Sequence, residues 1–186
     1  MNDGSQAQEL IIPNCVPGEN PVHFDMTSIY SADGRLGEVS RVTPNMVVEL
    51  MSTFNNACNL ASKIHARIIH QILLAEKNLD RAKAVVILDK MPEELIKRKS
   101  KGSKEFRDAL IAQDPECEDK LDTLNLLKAA KELVNGYIKS FDRAYSACKI
   151  VSNNKNLIGN QPQFGGSITG HFRAVDKKDT KEPSEF

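Results

Sequence analysis

The stretch Lys97-Arg98-Lys99-Ser100-Lys101-Gly102-Ser103-Lys104 holds five cations and no anion. Clustered lysine and arginine displace the counterions condensed on a phosphate backbone, and binding driven in that way weakens as salt rises. Lys63, Arg67, Lys77, Arg81 and Lys83 lie upstream and would extend a phosphate track. Phe106 is the one aromatic close to the cluster, so base stacking adds little there. The plainer reading of the same residues is a solvated loop. Five cations on one copy are a modest attraction, whereas a ring of copies would repeat them around a rim and add weak sites through effective concentration.

Other chemistry finds less support. The histidines are His23, His65, His70 and His171, and none stands at metal-ligand spacing from a glutamate or cysteine. Cys58 and His65 are two helical turns apart, too far to share an ion unaided. The chain has no Walker loop, GxGxxG, GxSxG or HExxH. Glu93-Glu94 and Glu118-Asp119 sit where helices would start, and the helix dipole explains acids there. No catalytic residue, metal or cofactor is therefore expected, and the chain reads as a non-enzyme.

The 25 basic and 25 acidic residues cancel, which excludes a surface coated in positive potential while leaving room for a local basic patch. Aromatics make up 5% with no Trp, a supply that favours helices built on Leu, Ile, Val and Ala. Cys15, Cys58, Cys117 and Cys148 form no close pair, so reduced thiols are expected rather than a zinc knuckle or a disulfide framework. The segment MNDGSQAQELIIPNC lacks a basic start and an apolar run, so no signal peptide is expected. No stretch approaches the ~20 apolar residues of a membrane span. These features point to a soluble, cytoplasmic protein.

The elements that would position the basic cluster follow from apolar spacing. Residues 1–42 read as an irregular arm, punctuated by Pro13, Pro17, Gly18, Pro21, Gly34 and Gly37. Leu10-Ile11-Ile12 and Val22-His23-Phe24 are its candidate extended pieces, and Ser31-Ala32-Asp33-Gly34 reads as a turn. The arm is expected to pack on something rather than fold alone. Thr43-Pro44 would cap a first long helix. Its apolar residues recur at Val47, Leu50, Phe54, Ala57, Ala61, Ile64, Ile68, Ile72, Ala75, Leu79, Ala82 and Val86. Steps of three and four give a coiled-coil seam, and two successive fours at Ile64-Ile68-Ile72 relax its supercoil. The helix is expected to run about 45 residues, ~68 Å, until Pro92 ends or kinks it.

Residues 91–114 form the basic connector, in which Ser103 would cap a short helix. Asp114-Pro115 opens the second long helix, with an apolar set at Leu121, Leu124, Leu127, Ala130, Val134, Tyr137, Phe141, Ala144, Cys148 and Val151. Ser152-Asn153-Asn154 would end it near 152, and residues 153–186 read as a flexible tail. The fold class is thus all-α: a long antiparallel helical hairpin, coiled-coil-like, over 43–152. Ile69, Leu73, Val85 and Ile87 widen the first stripe, and Leu126, Leu133 and Ile138 the second. A two-helix pair shields only one stripe per helix. The rest must be covered by the arm in a monomeric bundle, or by further copies in a homo-oligomer.

The stretch SKEFRDALIAQDPECEDKLDTLNLLKAAKELVNGYIKSFDRAYSACKIV, residues 103–151, resembles the UvsY-type recombination mediators of T-even-like phages. The shared features are an Asp before the helix, a Leu-Asp-Thr start and a late Lys-Ser-Phe-x-x-Ala segment. The likeness extends over roughly 43–152 and is more architectural than motif-specific. It implies a small oligomer that binds single-stranded DNA and helps load a recombinase while a single-strand-binding protein is displaced. The family's basic residues before Leu-Asp and tyrosines after it read here as Val85-Val86-Ile87 and Lys90-Met91. DNA contact would therefore fall to Arg81, Lys83, Lys97, Arg98, Lys99, Lys101 and Lys104. The competing expectation is a structural or assembly protein, such as a small terminase subunit or phage morphogenesis adaptor, acting through protein contacts.

Overall fold

The computed structural model describes residues 8–98 and 102–159. The protein is an all-α hairpin with one small two-stranded sheet. In chain order it comprises β1 (Glu9–Ile12), β2 (Val22–Asp25), α1 (Thr27–Gly34), a 3₁₀-helix (Leu36–Arg41), α2 (Val47–Val85), a π-helical turn (Val86–Lys90), α3 (Met91–Arg98), α4 (Lys104–Ala112) and α5 (Pro115–Gly159).

The hairpin follows the apolar period. Every apolar position expected on the first helix, from Val47 to Val86, is buried. On α5 Leu124, Leu127, Ala130, Val134, Phe141, Ala144 and Cys148 are buried, while Leu121 stays exposed. The helices run antiparallel: Phe54 stacks on Phe141 with ring centroids 6.3 Å apart, and further along Lys128 approaches Glu76 at 3.8 Å. Tyr137 extends the stack, 6.0 Å from Phe141, and meets Tyr30 of α1 edge-on.

The arm is more regular than its punctuation implied. β1 pairs antiparallel with β2, Leu10 opposite Phe24 and Ile12 opposite Val22. Ile12, Phe24, Met26, Ile29 and Ala32 join the same core as the long helices, so the arm packs on the hairpin. The expected turn at Ser31–Gly34 is instead the end of α1. Ile29 and Ala32, three apart, are both fully buried there, and that burial outweighs the turn preference of Asp-Gly. Arg35 fastens the arm to α2, donating to Glu49 at 2.7 Å and to Glu38 at 3.0 Å.

The ends of the long helices depart from expectation. α2 begins at Val47 without a side-chain cap, and the backbone carbonyl of Thr43 receives Met46 N and Val47 N. Pro92 does not stop the chain's helical course. Its missing N–H leaves the Leu88 carbonyl without the usual α-helical donor, and its ring crowds that carbonyl. The wider π turn lies directly before it, and helix resumes as α3. α5 continues past Ser152-Asn153-Asn154 to Gly159. Polar side chains at those three positions remove neither a backbone donor nor helical φ, so they do not end the helix as a proline would.

Candidate nucleic-acid interface

The connector end of the hairpin is built on a second, small core. Ala82 and Val86 from the first helical run meet Cys117 of α5, with Leu110 and Ile111 of α4 packed against them. Both expected caps are present. Ser103 Oγ accepts from Phe106 N at 3.3 Å and starts α4. Asp114 Oδ1 accepts from Glu116 N at 3.1 Å and Cys117 N at 3.2 Å and starts α5. Gly102 stands between α3 and α4 at φ +70, and a Cβ there would meet the Met91 and Leu95 side chains at 3.0 and 3.2 Å.

Asp114 is the one buried charged side chain among the described residues, 6% exposed. It accepts from the Lys90 ammonium. That hydrogen bond is the largest influence holding its carboxyl below the usual aspartate range, against the opposing cost of burial. The same bond pushes the Lys90 ammonium above its ordinary value. The pair locks the π turn onto the start of α5, a link of 24 residues in sequence.

The expected site residues that the structure describes fall at this end, in unequal settings. Lys104 opens α4 and is exposed. Lys97 lies on α3, 3.0 Å from Glu94, and Arg98 closes that helix. Lys99 and Lys101 lie outside the described residues. Lys83 is half-buried on α2, 4.0 Å from Asp80. Arg81 is exposed and lines a cavity between α2, α5 and the loop of residues 13–19. Arg81, Lys104 and Arg107 form no ion pair among the described residues. Acids share the region: Asp89, Glu93, Glu94, Glu105 and Asp108 interleave with the cations. The described part of the cluster is therefore a set of cations interleaved with acids rather than a bare positive face.

Sequence reasoning missed Lys90, Arg107 and Lys120. Lys90 was set aside as one of the departures beside Leu-Asp, and its role depends on Asp114, which only the fold brings near. Among the described residues no group of three His, Cys, Asp or Glu side chains is placed to hold a metal ion. The four cysteines are unpaired, with Cys15, Cys117 and Cys148 buried. Burial pushes those three thiols up, which suppresses the reactive thiolate. No described helix is long and apolar enough to cross a membrane. No protein-family model, curated protein or solved structure matches the chain.

Proposed function

We propose that this protein is an oligomeric single-stranded DNA-binding accessory factor, similar in action to a recombination mediator. Its connector end would contact phosphates, and its long helices would meet further copies. The observation that carries this reading is that Lys104 and Arg107 on α4, between the two long helices, and Arg81 near the end of α2 have no ion-pair partners among the described residues. Val85, Leu88 and Ile96 stand exposed on neighbouring elements, the last at 79%, and offer apolar contact beside the cations. Loading of a recombinase and displacement of a single-strand-binding protein rest on the resemblance of residues 103–151 to UvsY-type mediators.

Self-association is supported by the apolar side chains that one copy leaves in water. Ile69, Leu73, Leu126 and Leu133 are all exposed on the long helices. Runs of this kind on a helix pair mark association surfaces.

A second reading, an assembly protein working through protein contacts alone, is favoured by the compensation of charge. Lys83, Lys90 and Lys97 each have an acidic partner. Fluorescence anisotropy with a labelled single strand, read across a salt series, separates the two. The DNA reading requires an affinity that falls linearly on a log–log plot, about 0.7 in slope per phosphate contact. A combined Lys97/Arg98/Lys99/Lys101→Ala variant should lose most of it. A protein that sediments as rings and binds no single strand at low salt selects the assembly reading.

A further inference from the structure

The loop of residues 13–19 builds one wall of a cavity of about 480 Å³, whose other walls are α2 and the first turns of α5. This wall is fixed. Gln71 Oε1 accepts from Cys15 N at 2.8 Å, and Asn78 Nδ2 donates to Cys15 O at 2.7 Å, so two amide side chains clamp both backbone groups of one residue. Gln71 Nε2 also reaches Asn14 Oδ1 at 3.4 Å, and Asn14 Nδ2 donates to Glu19 Oε2 at 2.8 Å across the loop. Gly18, at φ +82, makes the turn between them. Loops on a protein surface ordinarily leave such groups to water; here they are bonded across more than fifty residues of sequence.

The cavity's lining is mixed, part apolar and part charged with both signs. Buried Cys15, Ala75 and Ala82, with Val16, Pro17 and Val85, supply the apolar part. Arg81 and Lys120 bring positive charge to the lining, and Glu19 and Glu116 bring negative. Lys120 is partly engaged with Asp119 at 3.0 Å, which leaves Arg81 the stronger anion contact. A bare phosphate would be attracted by one pair and repelled by the other. An apolar molecule would leave Arg81 and Glu116 without a partner in the cavity. A ligand with an anionic group, an apolar body and a hydrogen-bond donor can answer the cations, the apolar side chains and the carboxylates of this lining. The volume falls within the ~300–1,000 Å³ of small-ligand cavities.

We infer that this cavity seats one nucleotide unit of the bound strand, an inference that rests on the single-stranded DNA reading. Arg81, with Lys120, holds the phosphate. The base lies along Val16, Pro17 and Val85, and a lining carboxylate accepts from its exocyclic amine. Carboxylates accept readily from the amine of cytosine. Thymine presents a carbonyl oxygen there and is repelled. The arm thereby gains a role: it completes a subsite that the hairpin alone lacks.

The test is anisotropy on the full chain, with labelled oligo(dC) and oligo(dT) of equal length. The wild type should prefer oligo(dC) by about fivefold or more. Val85→Trp, at a lining position already 44% exposed, should obstruct the cavity and abolish the preference. Arg81→Ala should weaken both oligonucleotides alike and lower the salt slope by about 0.7. Glu116→Gln, which presents an amide donor as well as an acceptor, should reduce the preference by strengthening oligo(dT). Unchanged melting temperatures check that each variant folds. If Val85→Trp and Arg81→Ala bind like the wild type while the connector variant fails to bind, the cavity inference is overturned and the DNA reading stands. Equal wild-type affinity for the two oligonucleotides also overturns the inference. A wild type that binds neither overturns both.

Discussion

Removing Asp114 isolates what holds the connector end together. Asp114→Ala takes away the cap on Glu116 N and Cys117 N and the acceptor for Lys90 at once. Loss of an aspartate cap costs ~1 kcal/mol. The Lys90 side chain is about half exposed and regains water, so its lost partner adds at most ~1 kcal/mol. The sum is about 2 kcal/mol, and at 2–4 °C per kcal/mol for a chain of this size the melting temperature falls by ~4–8 °C. Asp114→Asn keeps a capping oxygen and loses only the charge, so it should fall by no more than about half as much. The carboxyl's pKa is depressed in the fold, so the stability it contributes is present above the ordinary aspartate value of 3.8. That contribution is lost as pH drops through the still lower folded value. The gap between wild type and Asp114→Asn should therefore be constant from pH 7 to about 5 and close below 3.8. Urea melts followed by helical circular dichroism at several pH values measure it. Equal loss in the Ala and Asn variants, or a gap that persists in acid, would refute the assignment of cap and charge to this one side chain.

Three further outcomes are expected. Phe141→Ala empties a fully buried ring site against Phe54 and Tyr137, at a cost of ~3–5 kcal/mol, and should lower the melting temperature by ~6–20 °C. Gly102→Ala places a Cβ at φ +70, strained by ~1–2 kcal/mol, and presses on Met91 and Leu95. Faster amide exchange in α3 and α4 than in α5 would locate the damage. Asn78→Ala frees the Cys15 carbonyl and loosens the loop, so a thiol reagent should label buried Cys15 faster than in the wild type, with labelling of buried Cys148 unchanged.

The long helices were legible because burial there follows from spacing alone. Each of the twelve positions picked from Val47 to Val86 is buried, and the step of four at Ile68-Ile72 lies on the same seam. The caps at Ser103 and Asp114 were legible for the same local reason. The arm was not. α1 depends on Ile29 and Ala32 finding a surface that lies far along the chain, while its own residues read as a turn. The loop at 13–19 depends on Gln71 and Asn78, two amides that on sequence are ordinary solvent-facing positions of a helix. The ion pairs within the basic region, Lys97 with Glu94 and Lys83 with Asp80, were not read from the sequence, because they are products of the fold.

The arm's placement bears on where copies of the chain would meet. At ~100° per residue, Ile69 and Leu73 stand roughly 160–200° around α2 from Gln71. Gln71 faces the arm, so the arm leaves that opposite flank uncovered. The ion pair of Glu76 with Lys128 crosses between the helices on the same side as Ile69 and Leu73, since positions 69, 73 and 76 share a face. Leu121, seven residues before Lys128, adds an exposed apolar side chain on α5. Self-association should therefore use this flank, away from the cations of the connector. Leu73 is 59% exposed, so Leu73→Glu costs a single copy little. The substitution should lower the mass seen by sedimentation at micromolar concentration while melting of the helices changes by no more than ~0.5 kcal/mol. Oligonucleotide affinity should fall with the mass, because multivalent contact falls with it. An unchanged mass in Leu73→Glu would move the association surface elsewhere, and a wild type that sediments as one copy would remove the premise that weak cationic sites act together.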